Sequence, residues 1–162
     1  MSKRTAAVLT VSDSCAHGER ADVSGPATAD LLRQSGFEVT HQDVVADEQE
    51  AIEGALVRLC EHAQLVVTTG GTGIAARDIT PEATRAVCST LIEGIPERMR
   101  AEGTAQTPFA MLSRGVCGVR GRSLILNVPG SPNGAVESLR AVLHILPHAT
   151  DLLAGKTYHD EK

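Results

Sequence analysis

The chain has 162 residues, 42% of them hydrophobic and 22% charged, which is the composition of a single globular domain over residues 1–162 with enough apolar material for a core. A net charge of −5 and an aromatic content of 2%, with no Trp, argue against phosphate-backbone and base-stacking binders, so no nucleic-acid partner is expected. No segment reaches the roughly 20 apolar residues of a membrane span, and the apolar run in MSKRTAAVLTVSDS is too short for a secretory signal. Cys15, Cys60, Cys88 and Cys117 are widely spaced without a C-x-x-C pair, and the histidines show no zinc spacing. These features predict a cytoplasmic protein with reduced thiols and no membrane partner.

Ala6 to Ser12 (AAVLTVS) is a compact run rich in β-branched residues and predicts a buried strand. Pro26 and Gly36 bracket ATADLLRQS as a helix, the proline in its first turn and the glycine past its end. Phe37 to Val45 follows as the second strand. Asp47 and Glu50 have the spacing of a capping box, and behind them Ile52, Ala55, Leu56, Leu59, Cys60 and Ala63 repeat at helical intervals. Leu65 to Thr69 is a third strand, running into three glycines. Thr80 and Pro81 have the chemistry of a cap and first helical residue, for a helix reaching about Ile92. Residues 93–122 are expected to hold helix and loops, with a small hairpin around GVCGVRGRS. Ser123 to Val128 is another buried strand, closed by Pro129-Gly130-Ser131. Val136, Leu139, Val142, Leu143 and Leu146 mark a last long helix that Pro147 punctuates before a short terminal one.

This alternation predicts an α/β three-layer sandwich: a mostly parallel, doubly wound sheet with helices on both faces. Such sheets bind ligands outside the carboxyl ends of their strands. Those ends carry Ser12-Asp13-Ser14, Asp47, Gly70 to Gly73 with Asp78 beyond, and Pro129-Gly130-Ser131. Glycine amides approach an anion closely, and helices starting near Thr80 and Pro132 add positive dipole ends. No lysine follows the glycines, so this is no P-loop, and the spacing is not that of a dinucleotide fingerprint. Carboxylates repel phosphate unless a cation lies between them, and Mg²⁺ is commonly held by one or two carboxylates together with substrate phosphates. The acid-rich edge therefore predicts a metal–nucleotide site. Each residue also has a plainer reading: Asp47 as a helix cap, Asp78 in an Asx turn, Asp13 in a polar loop, and Arg77, Arg114, Arg120 and Arg122 as solvated surface charges.

Taken in order, TVSDS, ADE, TTGGTG with ARDITPEAT, PFAMLSRGVCGVRG and NVPGSPNG resemble the motifs of the molybdopterin adenylyltransferases, which include the bacterial MogA proteins and the G domains of plant and animal (gephyrin) relatives. The resemblance runs from about Val8 to Leu153. It implies transfer of AMP from ATP to molybdopterin, with Mg²⁺ as cofactor, ATP as co-substrate, a homotrimer, and a downstream molybdate-insertion protein as partner. By motif match it assigns Asp47 and Asp78 to catalysis and metal binding. It also assigns Gly70, Gly71, Thr72 and Gly73 to the nucleotide loop and Pro129, Gly130 and Ser131 to a second substrate-contacting turn. Ser12, Asp13, Ser14 and Ser113 fall on motifs near the substrates. Ala46, Ala76 and Asn133 depart from residues common in the family (proline, proline or arginine, and lysine), which bears on substrate affinity more than on reaction type. The alternative implied is a relative that binds molybdopterin or nucleotide, or serves as a scaffold, without turnover; the presence of both Asp47 and Asp78 speaks against it.

Overall fold

The computed structural model describes residues 3–156. In chain order these form β1 (Thr5–Val11), a single helical turn α1 (Asp13–Ala16), α2 (Ser24–Gln34), β2 (Glu38–Val45), α3 (Gln49–Cys60) and β3 (Leu65–Thr69). There follow α4 (Thr80–Val87), the two-residue β4 (Thr90–Leu91), α5 (Gly94–Thr104), a 3-10 turn over Pro108–Leu112, β5 (Cys117–Arg120), β6 (Ser123–Val128), α6 (Pro132–Val142) and α7 (Leu146–Leu153). The strands build one six-stranded sheet in the order β2-β1-β3-β6-β5-β4. The pairs β2–β1, β1–β3 and β3–β6 are parallel, while β5 and β4 join the far edge antiparallel. The expected α/β sandwich with a mostly parallel sheet is the observed one.

Strand residues alternate between two cores, as the period of two requires. Ala6, Val8, Leu65, Val67, Leu124 and Leu126 face one cluster with Leu32 of α2 and Leu139 of α6. Ala7, Leu9, Val66 and Ile125 face the other, where α3 supplies Ile52, Ala55, Leu56 and Leu59. Those α3 positions are the predicted apolar stripe. Strands buried on both sides read as continuous apolar runs, and helices cover both faces. Inside the sheet, Asn127 amide nitrogen donates to Thr68 and Thr84 hydroxyls at 2.9 and 3.0 Å, and its carbonyl accepts from Val116 N–H at 3.1 Å. That fully satisfied polar knot pins β3, α4 and the entry to β5 onto β6.

Four local expectations are corrected. Asp47 is not the α3 cap: the N-cap position is Glu48, without a side-chain cap bond, because the Asp47 carboxylate is engaged by Asp13. Thr80 does not cap α4 either, since its hydroxyl donates to the Gly70 carbonyl at 2.9 Å. The α4 helix stops at Val87 rather than Ile92 because the next residues join the sheet, with Ser89 N–H donating to Val119 carbonyl at 2.9 Å. The last helix divides at Val142, and Pro147 sits in the first turn of α7 instead of ending its predecessor. The hairpin expected around GVCGVRGRS is β5–β6. All four cysteines are free of disulfides, and no helix among the described residues is long and apolar enough to cross a membrane.

Candidate functional site

Sequence order reverses on either side of β1: β2 pairs along one edge and β3 along the other. At that switch point the carboxyl ends diverge and leave a crevice. A cleft of about 660 Å³ opens there, walled by the turns after β1, β2, β3 and β6. It gathers Ser12, Asp13, Ser14, Asp47, Gly70, Gly71, Asp78, Gly130 and Ser131, nine of the residues expected from sequence. Thr72 and Gly73 lie just beyond its wall, and Thr72 is buried. Pro129 and Ser113 stand apart from it, sharing a small cavity with Asn127, and Ser113 also borders a second cleft of about 470 Å³ lined by Arg85, Arg100 and Arg114.

Two glycine turns form the cleft floor. Gly70 and Gly71 have φ of 101° and 67°, conformations that side chains disfavour. A Cβ on Gly130 would sit 3.2 Å from Gly70 Cα, so the turns after β3 and β6 pack backbone against backbone. Above them α6 presents its N-terminus, where Ser131 Oγ accepts from Gly134 N–H at 3.1 Å. The Gly70 N–H is taken by the Val128 carbonyl at 3.1 Å, so the close backbone of the two turns and the α6 dipole are what the cleft offers to phosphate.

Asp13 and Asp47 are fixed by each other across 34 residues, and Asp78 by a local bond. Asp13 N–H donates to Asp47 Oδ2 at 3.0 Å, while Asp47 N–H donates to Asp13 Oδ1 at 2.8 Å. This reciprocal latch fastens the end of β1 to the end of β2. Asp78 closes its own loop by accepting from Ala75 N–H at 3.0 Å; this is not the expected Asx turn, because the donor lies three residues upstream and Thr80 N–H goes to the Gly71 carbonyl. Ser12 caps the short α1, accepting from Cys15 N–H at 3.3 Å, and Ser12 and Ser14 hydroxyls share a 3.2 Å hydrogen bond.

The Asp47 carboxyl titrates above its ordinary 3.8. Burial is the main cause, and the Asp13 N–H bond opposes it; the Asp13 and Asp78 charges push it further up, while Arg77 pulls it down. The folded protein therefore holds this proton more tightly than the unfolded chain. Below 3.8 Asp47 has no effect on stability, and it costs stability as pH rises through its folded-state value. Asp13→Asn removes one neighbouring charge while keeping an oxygen for the Asp47 N–H. Carboxyl-carbon NMR of that variant should show Asp47 titrating at lower pH than in the native chain. An unmoved titration would mean that the Asp13 charge does not bear on Asp47.

Sequence reasoning missed four residues here. Arg20 and Asp22 line the cleft, and Asp22 accepts from Thr10 Oγ1 at 2.7 Å and from Gly25 N–H at 3.0 Å. An Asp three residues before a helical glycine was the available signal for Asp22; Arg20 had none. Arg77 and Arg114 were read as solvated charges. Arg77 is exposed, as read, and also lines the cleft beside Asp78; Arg114 is half-buried and donates to the Gly73 and Asp78 carbonyls and to Glu82.

Residues 7–148 match the profile of the family described as "Probable molybdopterin binding domain". The chain belongs to this family. Within the molybdopterin-binding family, it is 43% identical over 152 residues to a Helicobacter pylori (strain J99) protein named molybdopterin adenylyltransferase, covering 91% of this chain and 86% of that one. The corresponding Escherichia coli (strain K12) protein of the same name is 39% identical over 140 residues, with 83% and 71% covered. Among solved structures, the molybdopterin biosynthesis enzyme MoaB of Thermus thermophilus superposes with a TM-score of 0.89 at 48% identity, covering 96% of this chain and 99% of that one.

Proposed function

We propose that this chain is a molybdopterin adenylyltransferase of molybdenum cofactor biosynthesis. The terminal phosphate oxygen of molybdopterin attacks the α-phosphorus of ATP, the bond from that phosphorus to the bridging oxygen breaks, and adenylylated molybdopterin and pyrophosphate leave. The observation that carries this reading is the meeting of two glycine turns with Asp47 and Asp78 around one cleft.

The attacking phosphate is already an anion, so no strong general base is needed, and positioning and charge stabilisation supply the catalysis. Amides of Gly71 and of the Gly130–Ser131 turn, with the α6 N-terminus, bind phosphate groups. Arg77 and Arg20 face the same space and balance charge on the departing pyrophosphate. The Asp13–Asp47 latch holds one carboxylate in place, and the Ala75–Asp78 turn holds the other.

Among the described residues no three His, Cys, Asp or Glu side chains gather into a metal cage. That fits Mg²⁺ arriving with the nucleotide, because such an ion takes one or two carboxylates and completes its shell with phosphate and water. Asp47 and Asp78 line the same cleft and offer carboxylate oxygens for it, and a cation there would relieve the burial and like charges that raise the Asp47 titration. The ion would supply neutralisation of phosphate charge. Assembly as a homotrimer, a cytoplasmic location and delivery of product to a molybdate-insertion protein complete the reading; the exposed Phe109, Met111 and Leu112 on one short turn support an assembling surface.

Purified protein incubated with molybdopterin, ATP and Mg²⁺ is expected to give adenylylated molybdopterin and pyrophosphate in equal amounts, identified by mass spectrometry. Tight binding of both substrates without pyrophosphate release would replace this reading with a non-catalytic binding one.

A further inference from the structure

Residues 72–78 form a loop carrying Asp78, anchored on the buried Thr72 and exposed over residues 74–77, with Ile74 68% exposed. Two of its hydrogen bonds are internal, between Ala75 and Asp78. Its remaining hydrogen bonds, among the described residues, run to one side chain and its backbone. Arg114 Nε donates to the Gly73 carbonyl at 2.8 Å and one terminal nitrogen donates to the Asp78 carbonyl at 2.7 Å. The other terminal nitrogen meets Glu82 Oε1 at 2.5 Å, and Arg114 N–H donates to the Thr72 carbonyl at 2.8 Å. Both ends of the loop and the first turn of α4 are thus gathered on one guanidinium from a segment 36 residues further along.

We propose that Arg114 is a positioning residue for adenylyl transfer: it fixes the Asp78 backbone and, through it, the carboxylate that faces the cleft. The inference rests on the adenylyltransferase reading for its catalytic half. A planar guanidinium with five donors reaches three acceptors at fixed angles, whereas an ammonium reaches them only as a point charge. Glu82 neutralises the arginine and anchors its far side, which keeps the fork aimed at the two carbonyls. Consistent with that, the ion pair with Arg114 holds the Glu82 carboxyl below its ordinary range.

The test compares R114Q, R114K and D78N with the double variant R114Q/D78N. Amide hydrogen exchange of peptides covering residues 70–80 should quicken roughly 10-fold or more in R114Q, while peptides from β1 and β6 keep native protection. kcat should fall roughly 10- to 100-fold with KM for ATP changed less than about 3-fold, and R114K should lie between. The double variant should be no slower than D78N, because a residue acting only through Asp78 has nothing further to lose. Native exchange in the loop of R114Q, or losses that multiply in the double variant, would overturn the proposal. Should R114Q fail to fold, R114K carries the same comparisons. If the native enzyme makes no adenylylated product, the adenylyltransferase reading falls and the catalytic half falls with it; the exchange comparison still decides whether Arg114 sets the loop.

Discussion

Asp78→Asn is expected to lower kcat for adenylylated molybdopterin by roughly 100- to 1,000-fold, the range seen when one preorganised electrostatic group is removed from an active site. The substitution is nearly isosteric, and the asparagine oxygen still accepts from Ala75 N–H where Asp78 Oδ2 now does. The loop therefore keeps its shape, and the backbone carbonyl keeps its bond from Arg114. What disappears is a negative charge on the cleft wall. Molybdopterin affinity should survive, measured by fluorescence titration, and the melting temperature should stay close to that of the native protein. Turnover within about 3-fold of native would remove Asp78 from the chemistry.

Gly70→Ala is expected to be the more damaging change to the fold itself. Gly70 has φ of 101°, and a Cβ there would come 2.3 Å from the Val11 carbonyl oxygen. That neighbour is backbone at the end of the interior strand β1, so it has no rotamer into which to retreat. The left-handed conformation and the overpacking together cost about 2–4 kcal/mol. For a chain of this size that lowers the melting temperature by roughly 5–15 °C. The Gly70–Gly130 approach, 3.2 Å from a Cβ on Gly130, would also be disturbed, and nucleotide binding should weaken with it. A stable, fully binding Gly70→Ala protein would show that the floor of the cleft tolerates side chains.

The sheet and most of the cleft were legible because their signals are local. Apolar runs mark the strands, and the residues just past each run sit at a carboxyl end whatever the strand order. The misreadings share one physical cause. Asp47 in DEQE satisfies a capping pattern, yet its carboxylate found an N–H from Asp13, 34 residues upstream. Thr80 likewise left the cap position for the Gly70 carbonyl. Arg114 looks like any surface arginine until the chain folds and brings it Gly73, Asp78 and Glu82 as acceptors. Helix period and turn chemistry do not report partners tens of residues away. Ser113 shows the same limit from the other side: the family resemblance led to the expectation that it lies near the substrates, and here it borders a different cleft from Asp47.

The pairing order of the sheet has a consequence for how the protein acquires its site. The interior strand β1 waits for β2 and β3, and β3 waits for a partner as distant as Leu124 opposite Leu65. Loop-closure entropy must be met for each of these non-local pairings before their contacts reward it, which slows folding. The cleft draws on residues from Thr10 to Pro132, so no early fragment of the nascent chain contains the complete cleft. Bound ligand then acts on the completed fold alone, and each tenfold excess over its dissociation constant adds about 1.4 kcal/mol to global stability. In a cell, substrate supply and the lifetime of this protein are therefore linked through the same four turns.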